Sequence, residues 1–168
     1  MRYRMMGVGL AAAAAAASAQ DQAPSWQYFE PEGGTIQAGV VAADGSQLIL
    51  KCDKPGKRSV YAVLATREKL VPATAQAPFQ MRSAEFRFDE GAPTDDRWRF
   101  YDQSAVAIDS GSIKAMSHFL PGLRTATKLR IRLNPERARY VEANFNVAGA
   151  ADAIGRVYAS CQDDIPTG

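Results

Sequence analysis

The chain has 168 residues, with 20 Lys+Arg against 18 Asp+Glu, two cysteines and a single histidine. That length suits one domain with a sizeable core. The near balance of charge argues against a global electrostatic footprint for nucleic acid or an anionic membrane. Two cysteines point to a single disulfide more readily than to a metal site, which normally takes three or four Cys, His or carboxylate ligands at defined spacing.

Residues 1–19, MRYRMMGVGLAAAAAAASA, combine Arg2 and Arg4, an apolar run from Met5 to Ala17 and the small triplet Ala17-Ser18-Ala19. This is the pattern of a secretory signal peptide, cleaved after Ala19. The run is too short and too Ala-rich to serve instead as an anchor across about 30 Å of hydrocarbon. Cleavage would leave 168 − 19 = 149 residues, with 18 basic against 18 acidic side chains. The expected location is the periplasm or the exterior of a Gram-negative cell. No transmembrane segment is expected after cleavage.

Residues 20–34 start polar and end in a Pro/Gly cluster, with Trp26, Tyr28 and Phe29 between. They read as a partly disordered lead into a short aromatic edge strand. TIQAGVVAA and SQLILKC are β-rich runs joined across Asp44-Gly45, a tight-hairpin signal because glycine takes positive φ freely. RSVYAVLAT is the next strand, and REKLVPATAQAP, bracketed by Pro72 and Pro78, is a loop. FQMRSAEFRF and RWRFYDQSAVAI follow around the acidic connection DEGAPTDD. In the second run Trp98, Phe100, Val106 and Ile108 share parity while Asp102 and Ser104 interrupt it, which predicts one strand with a bulge near Asp102.

SGSIKAMSHFLPGL reads as a short helix with a serine N-cap, an apolar stripe of Ile113, Met116 and Phe119 or Leu120, and a Pro-Gly stop. TKLRIRLN and RYVEANFNV form a hairpin in which Ile131 is set against Val141, Leu129 against Ala143, Arg130 against Glu142 and Arg132 against Tyr140. A terminal helix runs from about Ala150 to Cys161 with Ala150, Ile154, Val157 and Cys161 on one stripe. Leu48, Leu50 and Cys52 share one strand face, so both sulfurs point inward. A Cys52–Cys161 bridge is therefore expected, the alternative being free or redox-active thiols. Strands first and helices late predict an α+β domain over 35–168: a mainly antiparallel sheet or half-open β-sandwich with two short helices.

Three features carry candidate chemistry. Lys128, Arg130 and Arg132 line one strand face, with Arg124, Arg137 and Arg139 close by, a basic patch able to dock an anionic partner; Tyr140 could supply an aromatic anchor. The bland reading is an outer sheet face whose charges guard an edge and pair with carboxylates such as Glu142. Asp89, Glu90, Asp95 and Asp96 crowd one connection and are weak candidates for Ca²⁺ ligation or acid/base catalysis, against the default of a solvated turn. His118 sits off the apolar stripe of its helix, with no G-x-S-x-G motif to supply a serine partner. No metal, cofactor or catalytic residue is expected.

LILKC, RFDEG followed by a Trp-containing strand, KLRIRL and the closing FNVAGAADAIGRVYASC together resemble a group of small periplasmic bacterial domains. The likeness spans roughly residues 46–161. The chain is most similar to the TagO/VasI-like accessory proteins associated with type VI secretion, and more distantly to the invasion-associated locus B type. The resemblance implies pairing of Cys52 with Cys161, and a strand-to-helix corner made by Phe145, Gly149, Ala153 and Ile154. It implies no catalytic residue. The expected function is that of a non-enzymatic periplasmic binding or accessory protein, engaging an envelope protein or an anionic envelope component. The alternatives are a secreted inhibitor of an envelope hydrolase or protease, and a hydrolase using the acidic loop.

Overall fold

A computed structural model describes residues 26–32, 34–56, 59–72, 74–135 and 140–166. The expected signal peptide, residues 20–25 of the polar lead, and Glu136, Arg137 and Arg139 lie outside the described residues. Within them the chain forms eleven strands and two helices, and every strand pairing is antiparallel.

The first four strands, β1 (Gln27–Phe29), β2 (Ile36–Val41), β3 (Gln47–Cys52) and β4 (Tyr61–Ala65), follow one another as a meander. Alternation sets their faces: Ile36, Ala38 and Val40 are buried beside Leu48, Leu50 and Cys52, while Gln37, Ile49 and Lys51 face outward. The β2–β3 turn is the one expected from Asp44-Gly45. Gly45 has φ +84°, and its N–H donates to Ala42 O at 2.9 Å. The Asp44 carboxylate accepts from the Ser46 N–H and hydroxyl at 2.9 Å each, so the aspartate fastens the turn that the glycine permits.

A second meander, β5 (Gln80–Phe88), β6 (Thr94–Phe100) and β7 (Ser104–Ala107), runs back so that β7 pairs with β4. The single bulged strand expected over 97–108 is instead two strands. The chain reverses at Tyr101–Gln103, where the Tyr101 N–H donates to Ser104 O at 2.7 Å. The reversal resolves the parity conflict: Trp98 and Phe100 are buried before it, and Ala105 and Ala107 after it, leaving Val106 on the outer face.

A two-residue ribbon of β8 (Asp109–Ser110) and β9 (Ile113–Lys114) leads into α1 (Ala115–Thr125). No serine caps this helix. The Asp109 carboxylate does so from outside, accepting from the Met116 and Ser117 N–H groups at 2.9 and 3.1 Å and from the Ser117 hydroxyl. Pro121 and Gly122, read as a stop, lie inside α1. Packing explains the glycine: a Cβ there would sit 2.4 Å from the Phe88 ring, so its absence lets the helix settle onto β5. Phe119 then enters an aromatic cluster, 5.2 Å from both Phe86 and Trp98 and 5.5 Å from Phe88, centroid to centroid.

β10 (Lys128–Leu133) pairs with β5 on one side and with β11 (Val141–Asn146) on the other, completing the order β1-β2-β3-β4-β7-β6-β5-β10-β11. The expected hairpin register is two residues off. Ile131 faces Ala143, Arg132 faces Glu142, Leu133 faces Val141 and Leu129 faces Phe145. A slip of two preserves which residues point inward, so the polarity alternation is unchanged. The observed register gives both Leu133 and Phe145 an apolar partner, which the shorter loop would have denied them.

Both helices pack on the inner face, α1 against β6 and β7, and α2 (Ala150–Cys161) against β1, β2 and β3. α2 has its expected bounds and stripe, with Ala150, Ile154, Val157 and Cys161 buried. Its entry is a left-handed corner at Gly149, φ +83°. Cys161 is bonded to Cys52 with Cα atoms 5.9 Å apart, and neither sulfur-bearing residue is exposed. The sheet is not closed, but β11 approaches β2 and the Trp26 indole N–H donates to Val147 O at 3.3 Å, so its two ends curl toward each other around α2. The fold is thus an α+β arrangement with one apolar side filled by helices and a broad outer face left to solvent.

Candidate functional site

The outer face of β6, β5, β10 and β11 is built in rows because cross-strand partners on a sheet point the same way. One row runs Asp95, Glu85, Arg132, Glu142. Arg132 lies between carboxylates: its guanidinium is 3.1 Å from Glu142 and 3.7 Å from Glu85, and its carbon is 4.3 Å from the centre of the Tyr140 ring. Hydrogen bonding to Glu142 raises the pKa of the arginine above its ordinary value. Arg132 and Tyr140 thus form an internally satisfied group at the open end of the hairpin, with the Tyr140 side chain still largely exposed.

The next row is different. Arg130 lies opposite Arg87 on β5 and opposite Asn144 on β11, and Lys128 lies opposite Asn146. These five side chains line an open cleft of about 600 Å³. Arg87 is bound to Glu90 at 3.0 Å. Among the described residues no carboxylate forms an ion pair with Lys128 or Arg130. Asp89 and Glu90 line the same cleft, Glu90 held by Arg87 and Asp89 by backbone and hydroxyl donors, so the groups left to meet a ligand are a guanidinium fork, an ammonium and two carboxamides, a set suited to carboxylate or phosphate oxygens. Two like charges paired across β5 and β10 also cost free energy that an anion would relieve.

The four acidic residues do not converge. The Asp89 carboxylate accepts from the Thr127 N–H, the Thr127 hydroxyl and the Lys128 N–H at 2.8–3.0 Å. The Lys128 and Thr127 hydrogen bonds hold its pKa below the usual value. Asp89 itself has φ +46°, a conformation aspartate tolerates. Glu90 belongs to Arg87, and Asp95 accepts from the Ser83 hydroxyl on the outer face at 3.1 Å. Asp96, one residue on, points to the opposite face and lies 2.9 Å from Nδ1 of His118. Among the described residues no three His, Cys, Asp or Glu side chains gather as a metal site.

His118 therefore has an orienting carboxylate that the sequence did not reveal, because the pairing joins α1 to β6 across the fold. Its ring is exposed, and among the described residues no hydroxyl is hydrogen-bonded to its other nitrogen. Trp26 and Tyr28 pack against the core, Tyr28 also donating to Glu30 at 2.6 Å and lying under Arg156, whereas Phe29 is exposed at the outer edge. Arg87, Asn144 and Asn146 were missed by sequence reading. Their outward parity is visible in FRF and EANFN, but which strand brings Arg87 beside Arg130 is not.

Among the described residues no helix is long and apolar enough to cross a membrane. No curated protein and no solved structure matches the chain. Residues 24–154 match the YfjT family model, and the chain belongs to that family.

Proposed function

We propose that the protein is a non-enzymatic binding or accessory protein of the periplasm that docks an anionic envelope component on the outer face of β10 and its neighbours. The observation that carries this reading is the cleft lined by Lys128, Arg130 and Arg87, in which neither Lys128 nor Arg130 forms an ion pair with a described carboxylate. The buried disulfide supports an oxidising compartment, where such bonds persist. Arg132, expected to share this role, is held by Glu85 and Glu142, and Arg87 by Glu90, which leaves Lys128 and Arg130 as the docking cations. The accessory role implied by the resemblance to type VI secretion proteins belongs to the same proposal.

Cosedimentation with vesicles containing phosphatidylglycerol, with neutral phosphatidylcholine vesicles and with isolated peptidoglycan tests it. Binding to an anionic matrix should weaken with salt and disappear in Lys128→Glu with Arg130→Glu, while Arg132→Gln retains most of it. Equal binding to neutral vesicles, or unchanged binding by the double variant, would remove the basic cleft as the docking site. The hydrolase reading draws no support from the acidic connection, whose carboxylates point to different faces and serve separate partners.

A further inference from the structure

A second cleft, of about 680 Å³, crosses the outer face of β3, β4, β7 and β6. Register builds its floor. Val63 lies opposite Val106, and Val106 lies opposite Arg99, so an apolar pair leads directly to a guanidinium. Ile108 extends the floor, and the Tyr61 and Tyr101 rings border it. Val63 on β4, Val106 on β7 and Ile108 just beyond β7 face away from the core, which the helices fill from the other side.

The charges at the rim are unequal in their freedom. Asp109 is committed to the start of α1. Asp53 accepts from the Tyr61 hydroxyl at 2.6 Å and lies 4.0 Å from Lys51 Nζ. Arg99 forms no ion pair with a described carboxylate and is held by an aromatic face instead, its guanidinium carbon 5.0 Å from the Phe79 centroid. Phe79 in turn packs 5.8 Å from Tyr101. A guanidinium held at a ring by cation–π attraction still carries N–H donors for a bidentate anion.

We propose that this cleft binds a small linear amphiphilic carboxylate, with its head on Arg99 and its apolar body laid across Val106 and Val63 toward β3. Three strand spacings separate β6 from β3, which gives the body a track of about 14 Å. An apolar floor with one oriented polar group is the usual layout of a small-molecule site. The cleft is separate from the one around Arg130, and its test is independent of that reading.

The experiment is a titration of the full mature chain with decanoate and, separately, with decanol, followed by methyl NMR and calorimetry. Decanoate at millimolar concentration should shift the Val63, Val106 and Ile108 methyl signals. Decanol, and decanoate added to Arg99→Gln, should each bind roughly tenfold or more weakly, as expected for loss of a charge-assisted hydrogen bond. Unmoved methyls, or decanol binding as well as decanoate, would overturn the proposal. So would an Arg99→Gln protein with an unperturbed spectrum that binds decanoate like the wild type. The alcohol comparison needs no variant, so it decides the matter even where the substitution disturbs folding.

Discussion

Replacing both cysteines by alanine should cost the protein much of its stability while leaving its topology intact. The bridge joins residues 109 apart, tying the end of α2 to β3, an inner strand of the first meander. In the chain-entropy account, closing a loop of that size in the unfolded state stabilises the native protein by about 5 kcal/mol, and measured values commonly fall at 2–4. Both residues are fully buried, so the variant also loses some sulfur packing against Ile36 and its neighbours in the core. With a urea dependence of about 2 kcal/mol per molar, the midpoint should fall by roughly 1–2 M. The dependence itself should steepen, because an unbridged unfolded chain exposes more surface. Urea unfolding followed by tryptophan fluorescence and circular dichroism measures both quantities. A midpoint shift under about 0.5 M with an unchanged slope would refute the reasoning, since a latch between the last helix and the first sheet segment cannot be that weak.

Three further perturbations test individual packing claims. Gly122→Ala should lower stability by about 1 kcal/mol in thermal unfolding, because crowding against the Phe88 ring outweighs the gain in helix propensity; a stabilised variant would contradict the close approach. Asp109→Ala should cost about 1–2 kcal/mol by uncapping α1, and hydrogen exchange should rise first at Met116 and Ser117; unchanged exchange there would show that the cap lies elsewhere. Asp89→Asn keeps the turn but removes the charge. The folded carboxyl has a pKa below its ordinary 3.8, so it contributes stability that is present above that value and lost as pH falls through the lower folded one. Wild type should therefore exceed Asp89→Asn near neutrality and lose that advantage in strong acid, as read from pH-dependent thermal melts; a gap that persists in acid would contradict it.

What the sequence made legible divides along physical lines. The terminal helix, its buried stripe and the Cys52–Cys161 pairing could be read because period and parity are local properties of the chain. The β6–β7 reversal was hidden because Tyr101-Asp102-Gln103 lacks the glycine or proline that usually announces a turn. The two-residue error in the β10–β11 register arose because a shift of two keeps every side chain on its own face, so only the choice of partners for Leu133 and Phe145 discriminates. At the candidate site the same limit applies. The outward parity of Lys128, Arg130 and Arg132 was evident, but only the neighbouring strands reveal that Glu85 and Glu142 hold Arg132 and that Arg87 joins Arg130. Pro121-Gly122 misled for a related reason: the glycine answers to Phe88 on another element rather than to the end of its own helix.

The central claim is that the outer face around Arg130 meets the envelope. A photo-crosslinking amino acid placed at Asn144, beside Arg130 in the cleft, and separately at Gln47, on the far side of the same sheet face, tests it in intact cells. Crosslinks to an anionic envelope component that form from position 144, fail from position 47 and vanish when Lys128→Glu and Arg130→Glu are added are the predicted result. Crosslinks of equal yield from both positions, or none from position 144 in a folded and correctly located protein, would contradict it.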